Sequence, residues 1–401
     1  MDKFQFKSFD NVDKDVDISY LDETCAKNIY NFHKSIPGYE KTPLRDLKNL
    51  AKELGLKKFF VKDESYRFGL NAFKVLGGSY TCGKYIAKKA GLDPDKMTFD
   101  QITADEISKK IGDITFTTAT DGNHGRGIAW ASNKLGQKSK VFMPEGTVAE
   151  RLENIKKEGA DADIYDMNYD DCVREAAKYA KSHNGVLVQD TSWDGYEEIP
   201  KWIMQGYITF AYESYLDMKE KKTLPTHIFL QAGVGSMAAA IIGFFMNVME
   251  DNPPKIILVE PNKVDPFYRT VSANDGKIHN VGGELDSIMA GLCCGEPATI
   301  AWDIISKYVK YFISVDDSFT ASGMRILANP LGDDEKIVSG ESGAVTSGVL
   351  TKIMAEEKLK EYKDQIGLDE NSVVYCVSTE GDTDKEGYKD VVWDGKYPFE
   401  I

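Results

Sequence analysis

Positive charge is scarce in this sequence. Its 49 Lys and Arg face 64 Asp and Glu, for a formal net charge of -15, which opposes nucleic acid or an anionic membrane surface as a partner. Long apolar runs are also missing. The richest, 237–249, is interrupted by Gly243 and is too short to span a bilayer. Five histidines accompany six cysteines that lack zinc-type spacing, so no metal site is expected and the thiols read as reduced. The opening Met1-Asp2-Lys3-Phe4-Gln5-Phe6-Lys7 has neither an apolar signal region nor a small-residue cleavage site, and a cytoplasmic location is the expectation. Low-complexity tracts and internal repeats are absent.

What is present is a chain of 401 residues, too long for one small core, with 42% hydrophobic and 28% charged residues, ordinary for a globular protein. From about residue 58, short β-rich runs alternate with helical patterns, the signature of parallel sheets with crossover helices. Strands are expected at 58–61, 114–118, 140–143, 163–165, 186–189, 227–231, 255–260, 311–315 and 372–377. Most are too apolar to alternate, as strands covered on both faces are. Thr147 and Glu150 predict a capping box ahead of Arg151, and 236–249 predicts a buried helix. A small domain of residues 86–192 is expected as an insertion into a large one made of 1–85 and 193–401. The first 40 residues carry no visible chemistry.

Four constellations carry the chemistry. Lys74 follows the turn residues Arg67-Phe68-Gly69-Leu70-Asn71 and stands where a helical pattern begins. A lysine there faces the positive end of the helix dipole, so reactivity explains it better than stability, and amines of this kind condense with carbonyl compounds. The second constellation, Thr118 to Gly127, is a strand-to-helix turn rich in Gly, Asn and Asp, which offers backbone N–H groups to a carboxylate or phosphate. The third, Gln231 to Ala238, has the same placement. Gly233, Gly235 and Ala238 with Glu260 also fit a dinucleotide fingerprint, and the loop alone does not separate NAD from pyridoxal phosphate. In the fourth, Cys376 to Asp384, hydroxyls at a strand end can meet a heterocyclic nitrogen without protonating it.

In this order the four constellations resemble the tryptophan synthase β family of pyridoxal phosphate (PLP) enzymes, also called fold type II. The longest matching stretches are Tyr66 to Tyr80, Asp121 to Gly127, Gln189 to Trp193, Met289 to Leu292 and Ser339 to Val345, so the resemblance runs from about residue 64 to the C-terminus. It implies an α/β fold of two open, twisted, mostly parallel sheets flanked by helices, forming a large and a small domain with the cofactor between them. It further implies Lys74 as the Schiff-base lysine, Asn123 as the partner of the cofactor's phenolic oxygen, and Gly233, Val234, Gly235, Ser236 and Met237 as the phosphate cradle. Ser378 or Thr379 would face the pyridine nitrogen, with Ser378 favoured. Asp121 stands where dehydratases of the fold carry alanine or a small hydroxyl. Together with Asp190 it is expected near Cα and the β-substituent as a catalytic carboxylate, each serving one enantiomer if the two lie on opposite cofactor faces.

The implied activity is α,β-elimination of 2,3-diaminopropionate through an aminoacrylate to pyruvate and two ammonia. The alternative is a serine or threonine dehydratase or a β-replacement enzyme. A homodimer is implied as well.

Overall fold

The five residues His227 to Gln231 are all buried, which requires a strand with cover on both faces. The computed structural model, which describes residues 3–12, 14–283 and 285–400, places them at the centre of a seven-stranded sheet. Its members are β1 (Phe4–Ser8), β2 (Leu44–Asp46), β3 (Lys58–Asp63), β8 (His227–Gln231), β9 (Lys255–Pro261), β10 (Tyr311–Val315) and β11 (Val373–Ser378), in the order β1-β10-β9-β8-β11-β3-β2. The five inner strands pair in parallel, and only the edge strands β1 and β2 run antiparallel. A second sheet contains β4 (Thr115–Ala119), β5 (Lys138–Met143), β6 (Asp161–Ile164) and β7 (Val186–Leu187), in the all-parallel order β6-β5-β4-β7. Helices pack on each sheet, and the whole is the expected α/β architecture.

The chain divides into two units. The first comprises residues 1–19, 41–72 and 213–401 and carries the seven-stranded sheet; the second comprises 20–40 and 73–212 and carries the four-stranded one. The second unit contains the expected insertion, 86–192, and adds 20–40, 73–85 and 193–212. Packing explains the wider limits. His33, fully buried on the helix Glu23–Ser35, bonds Thr209 Oγ1 at 2.7 Å and the Leu76 carbonyl at 3.1 Å. The helices Val75–Ala90 and Glu198–Glu220 cross so closely that a Cβ on Gly206 would lie 2.4 Å from the Leu76 oxygen.

All nine expected strands form, within about three residues at each end, and β1 and β2 are additions. Both are short edge strands. β2 is Leu-Arg-Asp, with no apolar alternation to read, whereas β1 packs Phe4 and Phe6 on Tyr362 at ring-centroid distances of 5.0 and 4.8 Å. The capping box at Thr147 does not form. The helix Ala149–Lys157 starts after Val148, one residue too late, and the Thr147 hydroxyl donates to the Pro144 carbonyl instead. A capping box does form at Thr98 and Gln101, opening the short helix Phe99–Thr103. Ser236–Val248 is buried through Phe245, as its all-round apolar pattern requires. Among the described residues, no helix is long and apolar enough to cross a membrane.

Candidate active site

In the second unit, Lys74 occupies the N-cap position of the helix Val75–Ala90. Its ammonium has no favourable interaction with that helix end, and a carboxylate compensates: Lys74 Nζ lies 2.7 Å from Asp190 Oδ2, with the side chains 21% and 5% exposed. Asp190 follows β7 and is held there by its neighbour. The Gln189 amide group donates to the Ala119 carbonyl and accepts from the Ala119 N–H and the Thr118 hydroxyl. The Tyr196 hydroxyl accepts from the Gln189 N–H and donates to the Leu187 carbonyl.

Burial alone would raise the Asp190 carboxyl, but His124 and Lys74 offset it and hold the group down at about 2. His124 Nε2 donates to the Val188 carbonyl at 2.9 Å, and its Nδ1 lies 3.7 Å from Asp190 Oδ2. Burial lowers the His124 pKa, so the ring is neutral at pH 7 and Lys74 is then the cation facing Asp190.

The Thr118–Gly127 turn reaches the same end of this unit through close helix packing. A Cβ on Gly127 would lie 2.9 Å from Val75 Cα and N, so the helix Asn123–Lys134 lies directly against the residue after Lys74. Asn123 is the first residue of that helix. The Thr120 hydroxyl shapes the turn by accepting from the N–H groups of Gly122 and Gly125. Asp121 is 39% exposed and pairs with Arg151 at 3.3 Å. Sequence reasoning gave no role to Arg151 or to Tyr207. Tyr207 sits on the crossing helix with its ring 4.8 Å from that of Phe73, and its buried hydroxyl has no hydrogen-bond partner among the described residues. Burial raises its pKa, with smaller influences from Asp190 and Lys74. A tyrosine inside an apolar helix gave no signal in the sequence.

In the first unit, β8 runs into the loop Ala232 to Gly235 and then the helix Ser236–Val248. Two glycines there sit tightly, and at Gly235 the backbone requires one. A Cβ on Gly233 would stand 3.1 Å from the Gly291 oxygen and 3.3 Å from Cys294 Sγ; Gly235 has φ +92° and would drive a Cβ to 2.6 Å from Phe267 Cζ. The loop backbone, with Val234 between them, is therefore bare where the helix presents the N–H groups of Ser236 and Met237. Glu260 is not available to a ribose: the N–H groups of Phe267 and Tyr268 donate to its carboxyl at 3.0 and 2.7 Å, and burial pushes its pKa well up. This removes the dinucleotide reading.

Gln231 joins this loop to the fourth constellation, its Nε2 donating to the Ser342 and Val377 carbonyls at 3.1 and 3.0 Å and to Thr379 Oγ1 at 3.4 Å. Ser378 is wholly enclosed and donates to Ser339 Oγ at 2.7 Å, while the Thr379 hydroxyl donates to the Glu380 carboxylate. Glu380 in turn accepts from the Gly343 N–H at 2.6 Å. The segment ahead of Lys74 is fixed on this turn: Asn71 bonds Asp382 at 3.1 Å, its carbonyl accepts from Gly381, and Ala72 bridges Glu380. The second unit thus carries an amine beside a carboxylate, and the first a glycine loop at a helix N-terminus and neutral hydroxyls at a strand end, the group types that an aldehyde cofactor bearing a phosphate and a ring nitrogen needs.

Comparison with known proteins points the same way. The model of the family described as "Pyridoxal-phosphate dependent enzyme" matches residues 36–368. A diaminopropionate ammonia-lyase of Salmonella typhimurium is 48% identical over 381 residues, 94% of each chain. A crystal structure of diaminopropionate ammonia lyase from Escherichia coli in complex with D-serine superposes with a TM-score of 0.92 at 43% identity, covering 98% of both chains. A structure of the Escherichia coli enzyme with an aminoacrylate-PLP azomethine reaction intermediate gives a TM-score of 0.90 at 42% identity, covering 99% of this chain and 98% of the other. With a family match across most of its length and relatives this close, the chain belongs to the pyridoxal-phosphate dependent enzymes.

Proposed function

We propose that this protein cleaves 2,3-diaminopropionate, with one water, to pyruvate and two ammonia. The observation that carries the reading is the company of Lys74. The amine is paired to the buried Asp190, and a second carboxylate, Asp121, stands in the turn packed beside it. A substrate with an ammonium on Cβ needs carboxylates to bind that charge and to move protons; a hydroxyl-bearing substrate does not. Relatives that carry this activity in their names match 94% of the chain.

When bound, pyridoxal phosphate supplies an electron sink that acidifies the substrate's Cα proton. Lys74 would be the amine that holds the cofactor aldehyde. Gly233, Val234, Gly235, Ser236 and Met237 receive the phosphate. Asn123 would donate to the phenolic oxygen, and the hydroxyl of Ser378 or Thr379 would donate to the ring nitrogen and leave it unprotonated. Asp190, ionised at pH 7, would accept the Cα proton and pass it to the leaving β-amine, with Lys74 assisting. Asp121 does the same for the other enantiomer. His124, neutral and bonded to Val188, orders the Asp190 loop. A cytoplasmic homodimer that degrades amino acids completes the reading, and light scattering on the purified protein tests the dimer.

The test of the activity compares initial rates of pyruvate release from 2,3-diaminopropionate, serine and threonine. Diaminopropionate is expected to exceed both by at least ~10-fold in kcat/KM, because a site whose carboxylates match an ammonium leaves them unmatched by a hydroxyl. Equal or faster release from serine or threonine overturns the reading in favour of a dehydratase.

A further inference from the structure

Arg151 stands on the helix Ala149–Lys157, outside every motif that carries the family resemblance. Its Nη1 lies 3.3 Å from Asp121 Oδ2 and 3.3 Å from the Asp121 carbonyl oxygen, so one guanidinium grips both the side chain and the backbone of the residue. The arginine stem crosses the turn at Gly122, where a Cβ would stand 3.1 Å from Arg151 Cδ. A Cβ at 122 would crowd that stem, which would have to give slightly. Arg151 is 20% exposed and Asp121 39%, which leaves the carboxylate reachable while the guanidinium is mostly covered.

We propose that Arg151 is a specificity-determining and positioning residue: it fixes the Asp121 carboxylate in place and balances its charge, so that the site attracts a β-ammonium less strongly but presents the carboxylate in one orientation. This rests on the reading of Asp121 as a carboxylate that meets substrate. Removing Arg151 then has effects of opposite sign. The unbalanced carboxylate attracts a cationic β-substituent more strongly, while its loss of orientation slows proton transfer. A neutral β-hydroxyl gains nothing from the added charge.

The test uses the isomer of 2,3-diaminopropionate that Asp121→Asn impairs more. In the cofactor-loaded Lys74→Ala protein, which cannot turn substrate over, calorimetry compares affinity with and without Arg151→Gln. Affinity for diaminopropionate is expected to rise ~2- to 5-fold, the size of one partly exposed ion pair, while that for serine stays within about twofold. In the otherwise unaltered enzyme, Arg151→Gln is expected to lower kcat ~10-fold or more, and Arg151→Lys, which keeps the charge, to recover a large part of it. A weaker or unchanged affinity for diaminopropionate, an equal change for serine, or no recovery by lysine overturns the inference. If the unaltered enzyme releases no pyruvate from either isomer, the functional reading falls and this inference falls with it. If it does release pyruvate and the Arg151 pattern is absent, only this inference falls.

Discussion

Replacing Lys74 and Asp190 singly and together would measure how strongly the two hold each other before any cofactor arrives. Asp190 is held at about 2 against an ordinary 3.8, a difference worth about 2.5 kcal/mol at roughly 1.4 kcal/mol per unit. His124 and Lys74 together outweigh the cost of burial, and with His124 neutral at pH 7 the bond from Lys74 is expected to be worth about 1 to 2 kcal/mol, near the low end of the range for hydrogen bonds to charged groups. The folded pKa lies below the unfolded one, so the stabilisation is complete above about pH 4 and is lost only as pH falls through about 2. The assay is urea unfolding of the cofactor-free protein and its Lys74→Met, Asp190→Asn and doubly substituted forms. The double-mutant cycle is expected to give a coupling of about 1 to 2 kcal/mol, equal at pH 7 and pH 5. A coupling below about 0.5 kcal/mol would refute the pairing.

Asp121→Asn and Asp190→Asn are each expected to slow elimination from one enantiomer by ~10²- to 10⁴-fold, the usual weight of a positioned acid or base; equal losses on both enantiomers in both variants would sink the division of labour. Gly235→Ala combines φ +92° with a 2.6 Å approach to Phe267, a strain of about 1 to 3 kcal/mol, and should weaken pyridoxal phosphate binding at least several-fold in an absorbance titration. Unaltered affinity would contradict the cradle. Glu213→Gln breaks a wholly buried cluster in which Glu213 meets Lys62 at 2.6 Å and Arg67 at 2.8 Å. Stranding these cations should cost about 3 to 5 kcal/mol in urea unfolding, and a loss under about 1 kcal/mol would show that Glu64 alone satisfies them.

The sheet interiors were legible because β8, β9, β10 and β11 are apolar runs bounded by turn residues, and burial on both faces requires that composition. The edge strands were not, because β2 is three residues set by its pairing with β3. Glycines announced the turn from Gln231 to Ala238, where φ +92° and a 2.6 Å approach to Phe267 require one at Gly235. Lys74 was legible from its place at a helix start. Its pairing with Asp190 was not, as the two lie 116 positions apart and meet only through the fold. Arg151 and Tyr207 gave no local signal; their meaning comes from what they face. The expected capping box failed by one residue, because the motif specifies spacing and the backbone chose Val148 as the cap.

The most direct test is the stoichiometry of products from 2,3-diaminopropionate. The account predicts two ammonia for each pyruvate, carried out by the cofactor-loaded enzyme and lost in Lys74→Ala. One ammonia per pyruvate, no pyruvate at all, or undiminished turnover without Lys74 would contradict it.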